Sequence, residues 1–365
     1  MVSLYVTSFE RSAGKDLITM GLMDRLKRDG FKIGYFKPFG HFPYQLGDII
    51  IDKGAWFIHR LFELDDPIES VCPVVITQEL KKQNYEKPIT GLQEKIEKAF
   101  EIISDQKDVV IVHCDYNFSE GSSFGISGSA LVQLLNAHVL FVERYTCDFC
   151  IDFLLELKRV IGNPVMGVVF NKVEGAHIEE IEEFVSFFLK RNEMRVFGCL
   201  PTDSLLKAVE VSELAHILGA DVVCCKDGIG ALVEGFLVGG MHVDKFITYM
   251  IKHPSSAVIV GGDRTDIQLV AIESGARCLI LTGNLYPNEI IRTRARANGV
   301  PILVAKSDTF TVAKGVEAVV GKLSLQDKQK INHGIKLVDK GFSFENLYDK
   351  LNITVDVESS SDLVR

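Results

Sequence analysis

The sequence predicts an α/β protein with a doubly wound, mostly parallel sheet, followed along the chain by a smaller α/β domain. Short apolar strands alternate with amphipathic helical stretches along most of the chain. The strands are apolar on both sides, as strands buried in a parallel sheet are. In addition, the first strand, at residues 4–6, leads into a small-residue loop and then Gly14-Lys15 at the start of a helical pattern. Sheets of this class bind ligands at the carboxyl ends of their strands.

The alternation of strands and helices predicts a large domain over residues 1–220. After the first helix, apolar residues recur at helical spacing in four stretches, at 90–104, 127–136, 147–160 and 177–191. Short apolar strands lie beside them, at 108–112, 138–142, 165–170 and 195–200. The Leu and Phe stripes of the last two helices are predicted to be core faces.

A second, smaller domain is predicted over residues 228–325. Strands at 257–260, 278–281 and 302–305 alternate with three helices, the last of which ends at Leu323. The glycine-rich stretch GIGALVEGFLVGG at the start of this domain is the predicted junction. Residues 326–365 are predicted to form a C-terminal helix and a polar tail.

Composition and charge describe an ordinary globular protein and exclude several functions. Hydrophobic residues make up 47% of the 365 residues, and the net charge of −9 leaves no basic stripe for nucleic acid or an acidic membrane surface. No apolar run approaches the ~18 residues needed to cross a bilayer. The N-terminus shows no signal-peptide pattern. Eight cysteines lie mostly in apolar runs, including Cys147 and Cys150. They indicate reduced, buried thiols, so we expect a cytoplasmic protein.

The loop after the first strand is predicted to hold a phosphate group. Backbone N–H groups at a helix N-terminus converge on one point, and the helix dipole favours an anion there. Lys15 adds a positive charge for the outer phosphates. Two positions depart from a phosphate-binding loop: such a loop begins with Gly, whereas Ser8 stands here, six residues before Gly14, and Asp16 replaces the Ser or Thr that ligates Mg²⁺. The alternative is an ordinary strand-to-helix turn with a surface lysine.

Polar residues also follow the other strands of the large domain. Lys37, His113, Asp115 and Asn171 each come at or just beyond the end of an apolar strand, so we expect them at the same edge of the sheet. A histidine with carboxylates suits Zn²⁺ or Mn²⁺, so His113, Asp115 and Asp16 form a candidate metal site. The alternative is that His113 is a hydrogen-bonded structural residue.

Two groups of motifs resemble known families. The stretches VTSFERSAGKD, GYFKP, DVVIVHC, GVVFNK and GCLPTD resemble the dethiobiotin synthetase-like P-loop fold, in the version found at the N-terminus of long phosphotransacetylases. The stretches VGGDRTDIQLVAIESGARCLILTGN and GVPILVAKSDT resemble a DRTGG domain. The chain ends shortly after this second match, so the catalytic acetyltransferase domain is expected to be absent, and the resemblance does not imply acetyl transfer.

The first resemblance implies a nucleotide or phosphate site. Its residues are Ser12, Gly14, Lys15, Asp16, Lys37 and Asn171. Lys37 would face the substrate and phosphates, and Asn171 would contact the nucleotide base. ATP or ADP is the implied ligand.

The same resemblance leaves Mg²⁺ uncertain. Besides Asp16, the stretch Asp52-Lys53-Gly54-Ala55 lacks the second Asp of the family pattern, and His113-Cys114 replaces Glu-Gly. These three positions handle Mg²⁺ in the synthetases or lie beside it. We therefore expect the phosphate-binding loop to be kept and efficient phosphoryl transfer to be lost.

The loops of the DRTGG-like region form a second candidate site. Its residues, which follow three apolar strands, are Asp263, Arg264, Thr265, Asp266, Thr282, Asn284, Asp308 and Thr309. We predict that they line a ligand site or an interface, with Arg264 suited to a carboxylate or phosphate. A domain of this size gains stability by pairing, so a homodimer is predicted. The alternative is that Asp263 and Arg264 only cap a helix and form an internal ion pair.

The leading functional prediction is a nucleotide- or phosphate-binding regulatory protein, weak or inactive as an ATPase, which acts on an acyl-phosphate enzyme in trans. One alternative is an ATP-dependent carboxylate–amine ligase of the dethiobiotin or cobyrinate-amide type, with Asp16 or Asp115 as metal ligand. Another is a structural subunit without a small-molecule ligand.

Overall fold

The computed structural model of the protein describes residues 1–145, 149–317 and 327–355. Within these residues the chain forms two compact units. Unit 1 comprises Met1–Thr202 and the described part of the C-terminal segment, and unit 2 runs from Asp203 to residue 317. Cys147, of the predicted cysteine pair, lies outside the described residues. Along the part of the chain that is described, no helix is both long and apolar enough to cross a membrane.

Unit 1 is built on a six-stranded parallel sheet. The strands of unit 1 are β1 (Val2–Thr7), β2 (Ile33–Phe36), β3 (Phe39–Gly40), β4 (Pro43–Leu46), β5 (Ile49–Asp52), β6 (Val74–Val75), β7 (Val109–His113), β8 (Ala137–Glu143), β9 (Val165–Val173) and β10 (Arg195–Pro201). The main sheet has the order β10-β9-β8-β1-β7-β2. All residues of β2 and β7 are buried, which explains why these strands are apolar apart from His113.

The sheet order positions the candidate site. From β1 the chain passes over β7 to reach β2, and it then returns through β7, β8, β9 and β10 in the opposite direction. This reversal makes a crevice outside the carboxyl ends of β1, β7 and β8, where doubly wound sheets bind ligands. The predicted fold class is confirmed.

Helices connect these strands. They are α1 (Lys15–Arg28), α2 (Lys53–Leu61), α3 (Ile68–Val71), α4 (Gln78–Glu86), α5 (Leu92–Ser104), α6 (Gly128–Leu134), α7 (Phe149–Ile161), α8 (Ile178–Glu180) and α9 (Ser186–Arg191). A π-helical stretch at residues 181–185 joins α8 and α9 into one continuous helix. By the right-handed crossover rule, α1 lies on one face of the sheet and the helices between β7 and β10 lie on the other.

The prediction that the Leu and Phe stripe of this continuous helix is a core face is wrong for its Phe residues. Ile181 and Leu189 are fully buried, but the Phe184 and Phe187 side chains are 68% and 64% exposed. A π-helical turn holds more residues than an α-helical turn, so it rotates the residues that follow. A regular helical period drawn through the sequence therefore misplaces them.

Unit 2 contains a five-stranded sheet with one antiparallel edge strand. The strands of unit 2 are β11 (Val209–Glu210), β12 (Asp221–Cys224), β13 (Leu232–Val233), β14 (Gly235–Val238), β15 (Ser256–Gly261), β16 (Cys278–Thr282) and β17 (Ile302–Val304). Strands β11 and β13 pair with each other in a separate two-stranded sheet. The helices of unit 2 are α10 (Ser204–Lys207), α11 (Val211–Leu218), α12 (Val243–Lys252), α13 (Thr265–Glu273), α14 (Glu289–Asn298) and α15 (Thr309–Glu317). The sheet order is β12-β17-β16-β15-β14, and β12 runs antiparallel to β17. The predicted series of three strands and three helices corresponds to β15 through α15, although the predicted helix end at Leu323 lies outside the described residues.

The division between the units falls before Asp203, whereas the sequence suggested boundaries at 220 and 228. Val209, Val211 and Leu214 explain the difference, because they are buried in one core with Ile259 and Leu303 of unit 2. The glycine-rich stretch at 228–240 contains β13 and β14, so its glycines lie within a folded unit.

The C-terminal segment adds two helices to unit 1, α16 (Lys328–Gly341) and α17 (Phe344–Leu351). Helix α16 packs closely on α1, where a Cβ at Gly21 would lie only 2.5 Å from the Val338 side chain. Gly198 of the edge strand β10 bridges to Phe342 between the two helices. The sequence predicted one C-terminal helix here, and residues 356–365 of its predicted tail lie outside the described residues.

Candidate functional site

The loop between β1 and α1 has the backbone form of an anion-binding loop. Gly14 has a φ of +95° and precedes the first helical residue, Lys15, so a glycine is required there. Among the residues that the structure describes, no side chain caps the N-terminus of α1. The first N–H groups of a helix have no partner within the helix. They are therefore available, together with the helix dipole, to a negatively charged group.

Lys15 is held inside this loop by the loop's own oxygens. Its side chain is almost completely buried, and its ammonium group donates to Ser8 Oγ and to the carbonyl oxygen of Tyr116, both at 2.7 Å. The carbonyl oxygens of Glu10 and Arg11 lie at 3.4 and 3.3 Å. Ser8, which stands where a phosphate-binding loop would have glycine, thus accepts a hydrogen bond from Lys15. A phosphate that binds Lys15 must replace some of these hydrogen bonds.

Asn171 and Lys172 hold the loop in place through hydrogen bonds to its backbone. The Asn171 side-chain amide donates to the carbonyl oxygen of Ala13 at 2.8 Å, and a Cβ at Gly14 would overlap its nitrogen. Lys172 donates to the carbonyl oxygen of Ser12 at 2.9 Å. These contacts fix the course of residues 12–14. The base contact that the sequence resemblance implies for Asn171 stays a prediction.

Asp16 points to His113 at the carboxyl end of β7. Its carboxylate accepts a hydrogen bond from His113 Nε2 at 3.0 Å, while His113 Nδ1 lies 3.0 Å from Thr19 Oγ1. Partial desolvation of the half-exposed carboxyl group opposes ionisation, but the hydrogen bond and charge of His113, with Lys37 and Lys15, lower the pKa of Asp16 to about 2. The Asp16 carboxylate is charged at neutral pH and already paired, although 51% of its side chain remains exposed.

Lys37 lies between two carboxylates in the protein interior. Its ammonium group is 2.7 Å from Asp52 Oδ1 and 2.6 Å from Asp115 Oδ1, and the Lys37 and Asp52 side chains are almost inaccessible. Burial alone would lower the pKa of Lys37, but Asp115, Tyr35 and Asp52 raise it well above its ordinary value. Asp52 also caps α2 by accepting from the Ala55 N–H. Lys37 is therefore saturated by internal partners.

The candidate metal trio does not converge. Asp16 and His113 contact each other, whereas Asp115 binds Lys37 and accepts from the His41 N–H at 3.2 Å. Among the described residues, no group of three His, Cys, Asp or Glu side chains has a metal-binding arrangement. The residues present do not fit a magnesium site either, because Asp16 is hydrogen-bonded to His113, and Asp52 and Asp115 are both paired with Lys37.

Sequence reasoning missed a buried acid beside the loop. Glu143 ends β8 with a 2% exposed side chain, and its Oε1 accepts from the Phe9 N–H at 2.6 Å. Burial raises the pKa of Glu143 to about 8, although the Phe9 hydrogen bond acts in the opposite direction. The signal was present in the sequence, since an acidic residue directly follows the apolar run 138–142 at the carboxyl edge.

A cluster of aromatic and charged side chains was also missed. The guanidinium of Arg11 lies 4.3 Å from the centre of the Tyr116 ring, which contacts the His41 ring. His41 Nε2 lies 2.7 Å from a carboxylate oxygen of Glu120. This cluster flanks the loop on the side of β7 and makes a mixed aromatic and polar wall.

In unit 2, the predicted residues lie at the carboxyl edge of the sheet but mostly bind one another. Arg264 forms a two-point ion pair with Asp266, with both N···O distances 2.9 Å. The hydroxyl groups of Thr282 and Thr309 are 2.8 Å apart. Asp308 accepts from the backbone and the hydroxyl group of Thr311 at the start of α15. An ion pair of Arg264 within the chain, part of the alternative given above, is therefore observed, but its partner is Asp266, and among the described residues no side chain caps α13.

The remaining predicted residues of this edge are on its surface. Asp263, Thr265 and Asn284 are exposed, and Asn284 has a φ of +57°. Gln268, which the sequence did not single out, is buried and donates to the carbonyl oxygens of Gly261 and Gly262, both at 3.1 Å. Gln268 therefore fixes the glycine turn that presents Asp263.

Two family profiles cover most of the chain. Residues 2–210 match an AAA domain and residues 213–319 match a DRTGG domain. Phosphate acetyltransferase of Pseudomonas aeruginosa is 25% identical over 94% of this chain, and phosphate acetyltransferase of Synechocystis is 22% identical over 96% of it. These alignments take in 51% and 52% of the two relatives. The chain thus spans about half the length of the curated relatives it matches.

A solved structure is distantly similar. It contains the CBS and DRTGG domains of the regulatory region of Clostridium perfringens pyrophosphatase, complexed with the activator diadenosine tetraphosphate. It covers 36% of this chain and 62% of that chain, with 19% identity and a TM-score of 0.28. A similarity of this degree carries no argument about ligands. Because the AAA domain profile covers more than half of the chain, the protein belongs to the AAA domain family, and a DRTGG domain follows its AAA domain.

Proposed function

We propose that the protein is a regulator that binds a nucleotide or another phosphate-bearing ligand at the Gly14-Lys15 loop and does not turn it over efficiently. The observation that carries this proposal is the internal pairing of the charged groups around the loop. The helix N-terminus and Lys15 retain the features that attract an anion. Lys37 and Asp16, by contrast, are engaged by Asp52, Asp115 and His113.

The charge arrangement supports binding without catalysis. Phosphoryl transfer depends on cations that neutralise charge on the transferred group as it moves. Here Lys37 carries one positive charge against the two negative charges of Asp52 and Asp115, so this cluster is anionic overall. An anionic cluster disfavours a phosphate in its immediate neighbourhood. Binding is therefore expected to centre on α1 and Lys15.

An assay of ATP hydrolysis tests the absence of turnover. With Mg²⁺ or Mn²⁺ we expect background rates in the wild type and in Lys15→Ala alike. Turnover on the order of 1 s⁻¹, the low end of ordinary enzymes, that is lost in Lys15→Ala would overturn the proposal. If that turnover also depended on a carboxylate and an amine, the protein would be a ligase.

The relatives suggest the chemistry that is regulated. Both are named phosphate acetyltransferase, and the match to each takes in the AAA and DRTGG regions of this chain. We propose that the protein controls an acyl-phosphate enzyme in trans. Added to such an enzyme from the same source, it should change the rate of acetyl phosphate formation when ATP or ADP is present. An unchanged rate with and without nucleotide would remove this part of the proposal.

A further inference from the structure

Two adjacent cysteines at the end of β12 form a close pair of thiols. Cys224 and Cys225 have sulfur atoms 3.3 Å apart. Successive side chains of a strand ordinarily point to opposite faces. Here Cys225 has a φ of +52°, and the pairing of β12 with β17 shifts register between Val222 and Cys224. The left-handed backbone at Cys225 turns its side chain to the same side as that of Cys224.

The two thiols face one helix. Cys224 Sγ lies 3.8 Å from the carbonyl oxygen of Arg292, and Cys225 Sγ lies 3.5 Å from that of Ala295. Both oxygens belong to α14, and both thiols can donate to them. Cys224 is buried and Cys225 is partly exposed, so the pair opens to solvent on the Cys225 side. Burial and the neighbouring Cys224 thiol raise the pKa of Cys225 to about 11.

A direct disulfide fits this pair poorly. The Cα atoms of adjacent residues are about 3.8 Å apart, which is below the roughly 4.4–6.8 Å that disulfides usually span. A single atom that bonds to both sulfur atoms does not require the two sulfur atoms to bond to each other, so the short Cα–Cα distance is no obstacle to it. Soft thiol ligands favour soft, thiophilic centres. Around this pair, the described residues offer no third His, Cys, Asp or Glu ligand, so the centre must be satisfied by two protein ligands.

We propose that Cys224 and Cys225 form a two-thiol binding site for a trivalent, monosubstituted arsenical or a chemically equivalent thiophilic centre. With phenylarsine oxide, two As–S bonds form and the As–O bonds break. The two thiol protons leave with the oxygen as one water molecule, and arsenic remains trivalent. No oxidant or reductant is needed. This site is independent of the phosphate loop and of the proposed regulatory function.

Intact-mass measurement of the full chain with phenylarsine oxide tests the site. The wild type should retain one phenylarsenic group per chain, which a dithiol removes and an equal concentration of monothiol does not. Two-point attachment typically strengthens binding by about 10²–10⁴ over a single point. The apparent affinity should therefore fall about a hundredfold or more in Cys224→Ser and in Cys225→Ser.

Cys147→Ser is the matched control, because Cys147 and Cys150 are another pair of cysteines near in sequence. It should bind phenylarsine oxide as the wild type does. Loss of binding in Cys147→Ser, or full binding in Cys225→Ser, would overturn the proposal. Cys225 is the more exposed partner, so its substitution remains informative if Cys224→Ser fails to fold.

Discussion

Glu143 shows at the scale of a single residue how the environment of the loop alters charge. Its carboxyl group is buried at the end of β8 and accepts from the Phe9 N–H at the start of the loop. Burial raises its pKa to about 8. A glutamate in an unfolded chain has a pKa of about 4.3. Between these two values the folded protein binds more protons than the unfolded chain.

Glu143→Gln should therefore change the pH dependence of stability. In the wild type, the contribution of Glu143 to the free energy of unfolding is fully present below about pH 4.3 and is lost as pH rises through about 8. Gln keeps an oxygen for the Phe9 N–H but does not titrate. Urea denaturation at several pH values should show that the free energy of unfolding falls less with rising pH in Glu143→Gln than in the wild type. The two falls should differ by up to a few kcal/mol. Parallel pH profiles for Glu143→Gln, the exposed control Glu179→Gln and the wild type would contradict this account.

Lys37 provides a second test at this scale. Lys37→Met would leave Asp52 and Asp115 buried without their shared cation. Removing one partner of a buried ion pair typically costs about 3–5 kcal/mol. Urea denaturation near neutral pH should show a loss of this size, and adding Asp52→Asn should restore part of it. The exposed neighbour Lys53 gives the control Lys53→Met. Equal stability of Lys37→Met and Lys53→Met would show that the cluster does not stabilise the fold.

At the residue scale, the sequence predicted which side chains gather at the carboxyl edge but not how they pair. Lys37, His113 and Asp115 all lie there. Their partners come from distant segments, so no spacing in the sequence reveals that Asp115 binds Lys37 or that His113 binds Asp16. Charged groups that converge in a buried site must neutralise one another, and only the fold decides which ones meet.

At the scale of elements, the N-terminus of α1 depends on Gly14. Gly14→Ala forces an alanine into a left-handed conformation, which costs roughly 1–2 kcal/mol, and the added Cβ overlaps the Asn171 amide. The control is Gly47→Ala, since Gly47 has a φ of +58° but no atom of the described part of the chain lies within 4 Å of the added Cβ. We expect Gly14→Ala to lose more stability than Gly47→Ala in urea denaturation, and to lose phosphate binding as well. Equal losses would mean that the Asn171 contact is unimportant.

Elements with a regular apolar pattern could be predicted from the sequence, whereas local irregularities of the backbone could not. The strands β7 and β16 were found within a residue of their observed bounds, because they are buried and apolar except at their last residues, His113 and Thr282. The helix at 178–191 was found, but its π-helical stretch was not, and its exposed Phe residues were misassigned. The backbone turn at Cys225 leaves no periodic signal either, so the thiol pair emerged only from the structure.

For the whole molecule, the predicted homodimer remains to be tested. Exposed apolar side chains flank the carboxyl edge of unit 2, including Ile290 and Phe310, which are 66% and 67% exposed. If this edge supplies the interface, Phe310→Glu should convert a dimer to a monomer in light scattering, because a charge would be buried without a partner. Ile251→Glu, at a 72% exposed position of α12, is the control. A monomeric wild type, or a dimer that persists in Phe310→Glu, would contradict the prediction.

The division into units was predictable in outline only. Periodicity indicates each strand and helix, but not which core a connecting segment joins. Residues 203–220 pack with unit 2 through Val209 and Leu214, and the C-terminal helices pack with unit 1 through Val338. Both assignments depend on contacts between segments far apart in the sequence.

The central claim is that the Gly14-Lys15 loop binds a phosphate-bearing ligand although the surrounding charges are internally paired. Titration calorimetry of ATP, ADP and inorganic phosphate into the intact chain tests it most directly. We predict saturable binding of at least one of these ligands by the wild type and by the exposed-site control Lys98→Ala, and a marked loss in Lys15→Ala. The same weak or absent heat in all three proteins would contradict the claim.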